Sequence, residues 1–242
     1  MTNSWTIGPH NPQLASDGVH VWQAGLDVSP ARLAYYQRLL AEDERERAAR
    51  FRFARDRDHF IAGRGVLREL LGRYLVQPGE ALKISYSEYG KPFMPGKRLQ
   101  FNLTHSGSLA LYAFCLDSPV GVDVEMEREL SDALQISQRF FSPAERAILS
   151  SLPEEEVMPA FFRCWARKEA FIKAVGEGLS YPLDAFDVSL APGDAPGLLR
   201  IRGSEEEARA WSLTPLGLPP GYHGALVVKS RNNTLQTLKF VD

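Results

Sequence analysis

Cysteine is scarce in this chain, 2 of 242 residues. Cys115 and Cys164 each sit in an apolar segment, Tyr112-Ala113-Phe114-Cys115-Leu116 and Phe161-Phe162-Arg163-Cys164-Trp165. That setting predicts two buried free thiols in a reducing compartment and excludes a disulfide framework. Long apolar runs are missing too. None approaches the roughly 20 residues of a membrane-spanning helix, so no membrane association is expected. Met1-Thr2-Asn3-Ser4-Trp5 lacks the basic stretch and apolar core of a secretory signal. A cytoplasmic protein is therefore expected, in which the sequons at Asn102 and Asn232 play no part. Charge of one sign is not in excess: the net formal charge is −2, which argues against a general nucleic-acid binder.

What is present suits a globular chain, 44% hydrophobic and 24% charged, with enough length for one large domain or two small ones. The charge is unevenly spread. Residues 1–120 carry 15 Lys+Arg against 12 Asp+Glu, and residues 121–242 carry 13 against 18. From Arg45 to Arg73 there are nine arginines and no lysine. This stretch is a candidate anion-binding face, although many of its arginines must simply cover a solvated helix.

Hydrophobic periodicity divides the chain into two similar halves. Val19–Leu26 reads as a strand, and Ser29-Pro30 as an N-cap with proline at the first helical position, opening a helix to Leu40. Glu42–Arg50 reads as a short charged helix. Phe60, Ile61, Val66, Leu67, Leu70, Leu71 and Leu75 make one apolar face of a helix over 56–76, which Gln77-Pro78-Gly79 ends. Strands follow near 82–85, 98–103 and 109–116. The second half opens on a strand at 120–125. Ser142-Pro143-Ala144-Glu145 has capping-box spacing, and a helix over 161–175 stops at Gly176. Further strands fall near 185–190, 198–202, 225–229 and 235–241. The layout predicts a pseudo-duplicated α+β architecture jointed at Asp117-Ser118-Pro119, with lobes 1–118 and 119–242, each a small sheet packed on a long helix.

Chemistry concentrates in the second half. In Gly121-Val122-Asp123-Val124-Glu125 the valines alternate with the acids, so both carboxylates share one strand face. In Trp165-Ala166-Arg167-Lys168-Glu169-Ala170-Phe171-Ile172-Lys173, residues 165, 169 and 173 fall on one helical stripe. Either fragment alone is most often a solvated sheet face or a helix-surface ion pair. Together, Asp123, Glu125 and Glu169 form an all-oxygen set suited to a hard divalent cation, Mg²⁺ first, with Lys173 beside it for a phosphate-bearing substrate.

Four ordered blocks carry a resemblance. They are Glu46-Arg47 with Phe51-Arg52-Phe53-Ala54-Arg55-Asp56 and Ala62-Gly63-Arg64; Gly90-Lys91-Pro92 leading to Phe101-Asn102-Leu103-Thr104-His105-Ser106; Gly121–Glu125; and Phe140-Phe141-Ser142-Pro143-Ala144-Glu145 with Trp165–Lys173 and Gly176-Glu177-Gly178-Leu179-Ser180. In order and spacing the chain resembles the Sfp-type 4′-phosphopantetheinyl transferases. The strand motif alone is weak; the helix motif running into the glycines is specific.

The resemblance implies the two-lobe fold of that family, with the active site between the lobes. The implied reaction is Mg²⁺-dependent (or Mn²⁺-dependent) transfer of the phosphopantetheine arm of coenzyme A to a serine of an apo acyl, peptidyl or aryl carrier protein, releasing 3′,5′-ADP. Enzymes of the holo-acyl-carrier-protein synthase type catalyse this reaction. It implies Asp123, Glu125 and Glu169 as metal ligands, Glu169 also as a base, and Lys173 on the phosphates. Arg47, Lys91, Thr104, His105 and Lys168 become coenzyme A contacts, with threonine standing where the family has serine. Arg64 is a weaker candidate. The segment 126–138 becomes the carrier-docking loop, at least one of Phe140 and Phe141 is expected in the core, and the protein is expected to be a monomer. Two alternatives remain: a non-catalytic coenzyme A or carrier binder, and a metal-dependent diphosphate hydrolase. His10, His20, His59 and His223 receive no role.

Overall fold

The computed structural model describes residues 4–130 and 132–241, so the first three residues and Ser131 of the expected docking segment lie outside it. The first half of the chain runs β1 (Thr6–Ile7), β2 (Gly18–Gly25), α1 (Pro30–Leu39), α2 (Glu42–Ala49), α3 (Ala54–Leu75), β3 (Ser85–Tyr86), β4 (Pro92–Phe93), β5 (Leu99–Ser106) and β6 (Leu109–Leu116). The second runs β7 (Val120–Met126), α4 (Ala133–Phe140), α5 (Pro143–Ser151), α6 (Glu154–Val175), β8 (Phe186–Val188), β9 (Leu198–Ile201), α7 (Glu205–Ala208), β10 (Ser212–Leu216), β11 (Tyr222–Val228) and β12 (Thr234–Lys239).

The expected α+β duplication is visible in the two long helices, α3 and α6, each of 22 residues and each packed on a sheet. Apolar residues of α3 bury Trp22 and Ala24 of β2 together with Phe101, Tyr112 and Phe114 of β5 and β6. Phe161, Phe171, Ile172 and Ala174 of α6 pack with Ala225 and Val227 of β11. A third cluster joins the lobes: Val19, Val21, Leu111 and Ala113 of the first sheet meet Val120, Val122 and Val124 of β7.

The sheets differ in size. The first has the order β1-β12-β2-β6-β5, the second β10-β11-β7. β12 pairs parallel with both β1 and β2. The division at residues 118 and 119 therefore does not separate the strands, because the chain returns to complete the first sheet. Three other features depart from the sequence reading. Pro159 lies inside α6, which starts at Glu154 with three glutamates in its first turn, where the helix dipole favours them. Residues 133–138 of the expected docking loop lie in α4, which runs to Phe140. Pro215 sits in β10, an edge strand on which a missing N–H is tolerated.

The arginine-rich stretch splits by burial. Arg45, Arg47, Arg50, Arg52, Arg55 and Arg57 are exposed, whereas Arg64 and Arg68 are buried. Glu44 accepts from Arg64 Nε and Arg68 Nε, both at 2.6 Å, and from the Ala41 N–H at 2.9 Å. Arg64 also donates to the Tyr86 hydroxyl at 2.6 Å, and Arg68 to the carbonyls of Gly79 and Leu82. Arg64 thus holds α2 and β3 onto α3.

The expected capping box is formed: Ser142 Oγ accepts from the Glu145 N–H at 3.3 Å, and Glu145 Oε2 from the Ser142 N–H at 2.9 Å. Ser142→Ala should cost about 1 kcal/mol in urea unfolding with kinetics unchanged. Phe141 is buried and stacked on Phe161, and Phe140 meets Trp165 edge-on.

Candidate active site

Alternation along β7 sends its valines into the core between the lobes and turns Gly121, Asp123 and Glu125 to the other face. A Cβ at Gly121 would stand 2.1 Å from Ala170 O and 2.4 Å from Ala174 N, so only glycine lets β7 lie this close to α6. That approach brings Lys173 onto Asp123. Lys173 Nζ donates to Asp123 Oδ1 at 2.5 Å and to Thr104 Oγ1 at 3.0 Å. The Thr104 hydroxyl donates to the same Asp123 oxygen at 2.9 Å. Asp123 is 2% exposed, and its Oδ2 is buried without a hydrogen-bond partner among the described residues.

Burial pushes the Asp123 carboxyl above its ordinary range, with Lys173 pulling it back. Burial, then the charge of Asp123, does the same to Glu125. Glu169 is raised furthest, to about 7, by burial and then by the charges of Asp123 and, more weakly, Glu125. The three acids therefore lie within electrostatic reach of one another. Among the described residues, however, no three His, Cys, Asp or Glu side chains are drawn together as a metal cage. Lys173 engages one oxygen of Asp123.

Two depressions flank Glu125 and Met126. One, of about 390 Å³, lies between the lobes and is lined by Arg55, Asp56, His59, Phe60 and His105 from the first, and by Met126 and Tyr222 from the second. The other, of about 270 Å³, is lined by Glu125 and Arg128 with Leu130, Ile136, Phe161, Phe162 and Trp165. His105 is exposed at the mouth of the first. Partial enclosure, then the neighbouring His59 and Lys173, lowers its pKa. Arg47 is exposed beside that cleft, its guanidinium 5.3 Å from the centre of the Phe60 ring.

Comparison with known proteins decides the family. Residues 26–116 match the model described as 4′-phosphopantetheinyl transferase, N-terminal, and residues 119–227 match that of the 4′-phosphopantetheinyl transferase superfamily. The 4′-phosphopantetheinyl transferase HetI of Nostoc sp. is 40% identical over 222 residues, covering 89% of this chain and 90% of that one. The chain belongs to the 4′-phosphopantetheinyl transferases. The transferase Sfp of Bacillus subtilis is 35% identical over 157 residues, 64% of this chain and 68% of that one. The human L-aminoadipate-semialdehyde dehydrogenase-phosphopantetheinyl transferase is 29% identical over 192 residues, 72% of this chain and 62% of that one.

Three residues of the transferase expected on coenzyme A are engaged elsewhere. Lys168 is 0% exposed; its ammonium donates to Leu183 O at 2.7 Å and Phe186 O at 2.8 Å, and pairs with Glu145 Oε2 at 2.8 Å. One residue along a helix is a turn of about 100°, so Lys168 points into the protein while the half-buried Glu169 lies toward Asp123 and Lys173. Lys91 Nζ donates to Val120 O at 3.1 Å and Ala174 O at 3.0 Å, bolting the last turn of α6 to the start of β7; burial lowers its pKa to about 8. Its stem passes over Gly176, whose φ of +88° ends the helix in a conformation that favours glycine. Thr104 has one O–H, and Asp123 takes it.

Two further residues, His59 lining the cleft and Ser106 beside Glu125, had no role in the sequence reading. His59 is buried and donates from Nε2 to Asp27 Oδ1 at 2.7 Å. It lies on α3 one turn after Arg55, so the Phe51–Asp56 block already pointed to this helix end. Ser106 donates to Glu125 Oε2 at 3.3 Å and accepts the Met126 N–H at 3.0 Å. The period-two polar set Asn102, Thr104, Ser106 was the available signal.

Proposed function

We propose that this transferase moves the 4′-phosphopantetheine arm of coenzyme A to a serine of an apo carrier protein, releasing 3′,5′-ADP, in the cleft between its lobes. The carrier serine oxygen bonds to the β-phosphorus, the bond from that phosphorus to the bridging oxygen breaks, and the serine proton passes to a base. The observation that carries the reading is the junction of Asp123 with Lys173, which leaves a buried carboxylate oxygen unpartnered beside two further acids.

Glu169 is the base. In the metal-free protein burial and like charge raise it to about 7, so the carboxyl holds a proton more readily than an ordinary glutamate. Lys173 neutralises charge on the departing diphosphate. His105 and Arg47 hold the phosphates of coenzyme A from the first lobe.

The donor set fits a hard divalent cation: oxygen ligands only, three mutually repelling carboxylates and one orphaned buried oxygen. Asp123, Glu125 and Glu169 hold Mg²⁺, or Mn²⁺ in its place, which supplies charge neutralisation at the pyrophosphate. The carrier docks on 126–138, where Met126 and Leu134 are exposed. The whole cleft is built within one chain, which supports a working monomer. The two buried free thiols support a cytoplasmic setting, and no described helix is long and apolar enough to cross a membrane.

Incubation with coenzyme A, Mg²⁺ and a panel of apo carriers should add the mass of one phosphopantetheine. Transfer to no carrier type contradicts the proposal, and carrier-independent cleavage of coenzyme A would indicate a hydrolase. Arg47→Ala should raise KM for coenzyme A roughly 3- to 10-fold with kcat little changed.

A further inference from the structure

β7 is an edge strand of its sheet, with β11 on one side only. Its free edge faces β5, yet no backbone ladder joins the two strands. An exposed row of N–H groups at the centre of a protein needs acceptors. β5 supplies them from side chains. Asn102 Oδ1 accepts the Val122 N–H at 2.9 Å, and Ser106 Oγ accepts the Met126 N–H at 3.0 Å. Between them, Thr104 donates to Asp123 Oδ1 at 2.9 Å, and beyond it Ser106 donates to Glu125 Oε2 at 3.3 Å. Period-two spacing puts all three polar side chains on one face of β5, matched to the alternate residues of β7.

We propose that Asn102, Thr104 and Ser106 are positioning residues: a side-chain ladder through which the first lobe fixes the two carboxylates of the second, touching neither substrate. This rests on the reading of Asp123, Glu125 and Glu169 as the reactive cluster. The ladder goes further by giving Thr104 a different partner from the 3′-phosphate that the family pattern implies. Three observations support it. Asn102 and Thr104 are buried, with no face toward the larger cleft. The single O–H of Thr104 is directed at Asp123. Lys173 donates to Thr104 and Asp123 together, so the hydroxyl fixes the lysine as well as the acid.

The test compares Thr104→Val, Thr104→Ser and Ser106→Ala with Asp123→Asn as control. The measurements are kcat, KM for coenzyme A, Mn²⁺ affinity by calorimetry on protein free of coenzyme A, and thermal melting. Loss of a group that orients a metal ligand typically costs tenfold or more. Thr104→Val should therefore lower both kcat and Mn²⁺ affinity roughly 10- to 100-fold, with KM for coenzyme A within about twofold. Thr104→Ser keeps the hydroxyl and should restore both. Ser106→Ala, at the open end of the ladder, should weaken Mn²⁺ roughly 3- to 10-fold without loss of the folded state, and it carries the test if Thr104→Val melts.

A tenfold rise in KM for coenzyme A in Thr104→Val, with kcat and Mn²⁺ affinity intact, would overturn the proposal and return the hydroxyl to a phosphate. So would wild-type values in both Thr104→Val and Ser106→Ala. If Asp123→Asn also kept full activity, the failure would belong to the reading of the cluster itself, and the two failures are thereby told apart.

Discussion

Glu169→Gln is expected to lower kcat for carrier modification by roughly 10²- to 10⁴-fold, the range a positioned base contributes, while leaving the metal-free protein at least as stable as wild type. The two halves of that result have one cause. The Glu169 carboxyl is raised to about 7 by burial and by the charges of Asp123 and Glu125, so its ionised form is disfavoured in the fold. Glutamine removes both the base and the repulsion. The sign with pH follows. In the unfolded chain the group titrates near 4.5, and in the folded chain near 7. Stability from the retained proton is fully present below 4.5 and is lost as pH rises through 7. In chelator, the advantage of Glu169→Gln over wild type should therefore widen between pH 5 and pH 8, measured by urea unfolding. A variant that keeps kcat within tenfold of wild type, or whose advantage shrinks with rising pH, would refute this account of Glu169.

Lys168→Met should destabilise the protein by about 3–5 kcal/mol, the typical cost of removing one partner from a buried ion pair. The lysine is fully enclosed, and its loss leaves the carbonyls of Leu183 and Phe186 unpaired. It also leaves Glu145 without its cation. Burial already holds that carboxyl above its ordinary range despite Lys168. Glu145 still accepts from the Ser142 and Val188 N–H groups, so part of the network survives. The urea midpoint should drop sharply, and KM for coenzyme A in the remaining folded protein should stay within about twofold. A raised KM with unchanged stability would make Lys168 a substrate contact after all.

That contrast marks where sequence reading works in this chain and where it stops. Strand alternation around Asp123 and Glu125 and the helical stripe of Glu169 and Lys173 follow from local periodicity, and the structure places Asp123 against Lys173 across two elements. The two long helices and the capping box at Ser142 were legible for the same reason. Partners set by tertiary packing were not. Lys168 and Lys91 look like surface phosphate contacts, but each reaches backbone carbonyls that only the fold brings near. Arg64 is indistinguishable in sequence from the exposed arginines around it, until Glu44 of α2 is seen beneath it. The return of β12 to the first sheet leaves no local trace, since its pairing partners lie at the other end of the chain.

The most direct measurement is a crystal of the protein grown with coenzyme A and Mn²⁺, read for anomalous scattering. The account predicts one metal peak at coordination distance, about 2.1 Å, from Asp123, Glu125 and Glu169 and in contact with the pyrophosphate. A peak ligated by none of these acids, or a pyrophosphate bound away from them, would contradict it.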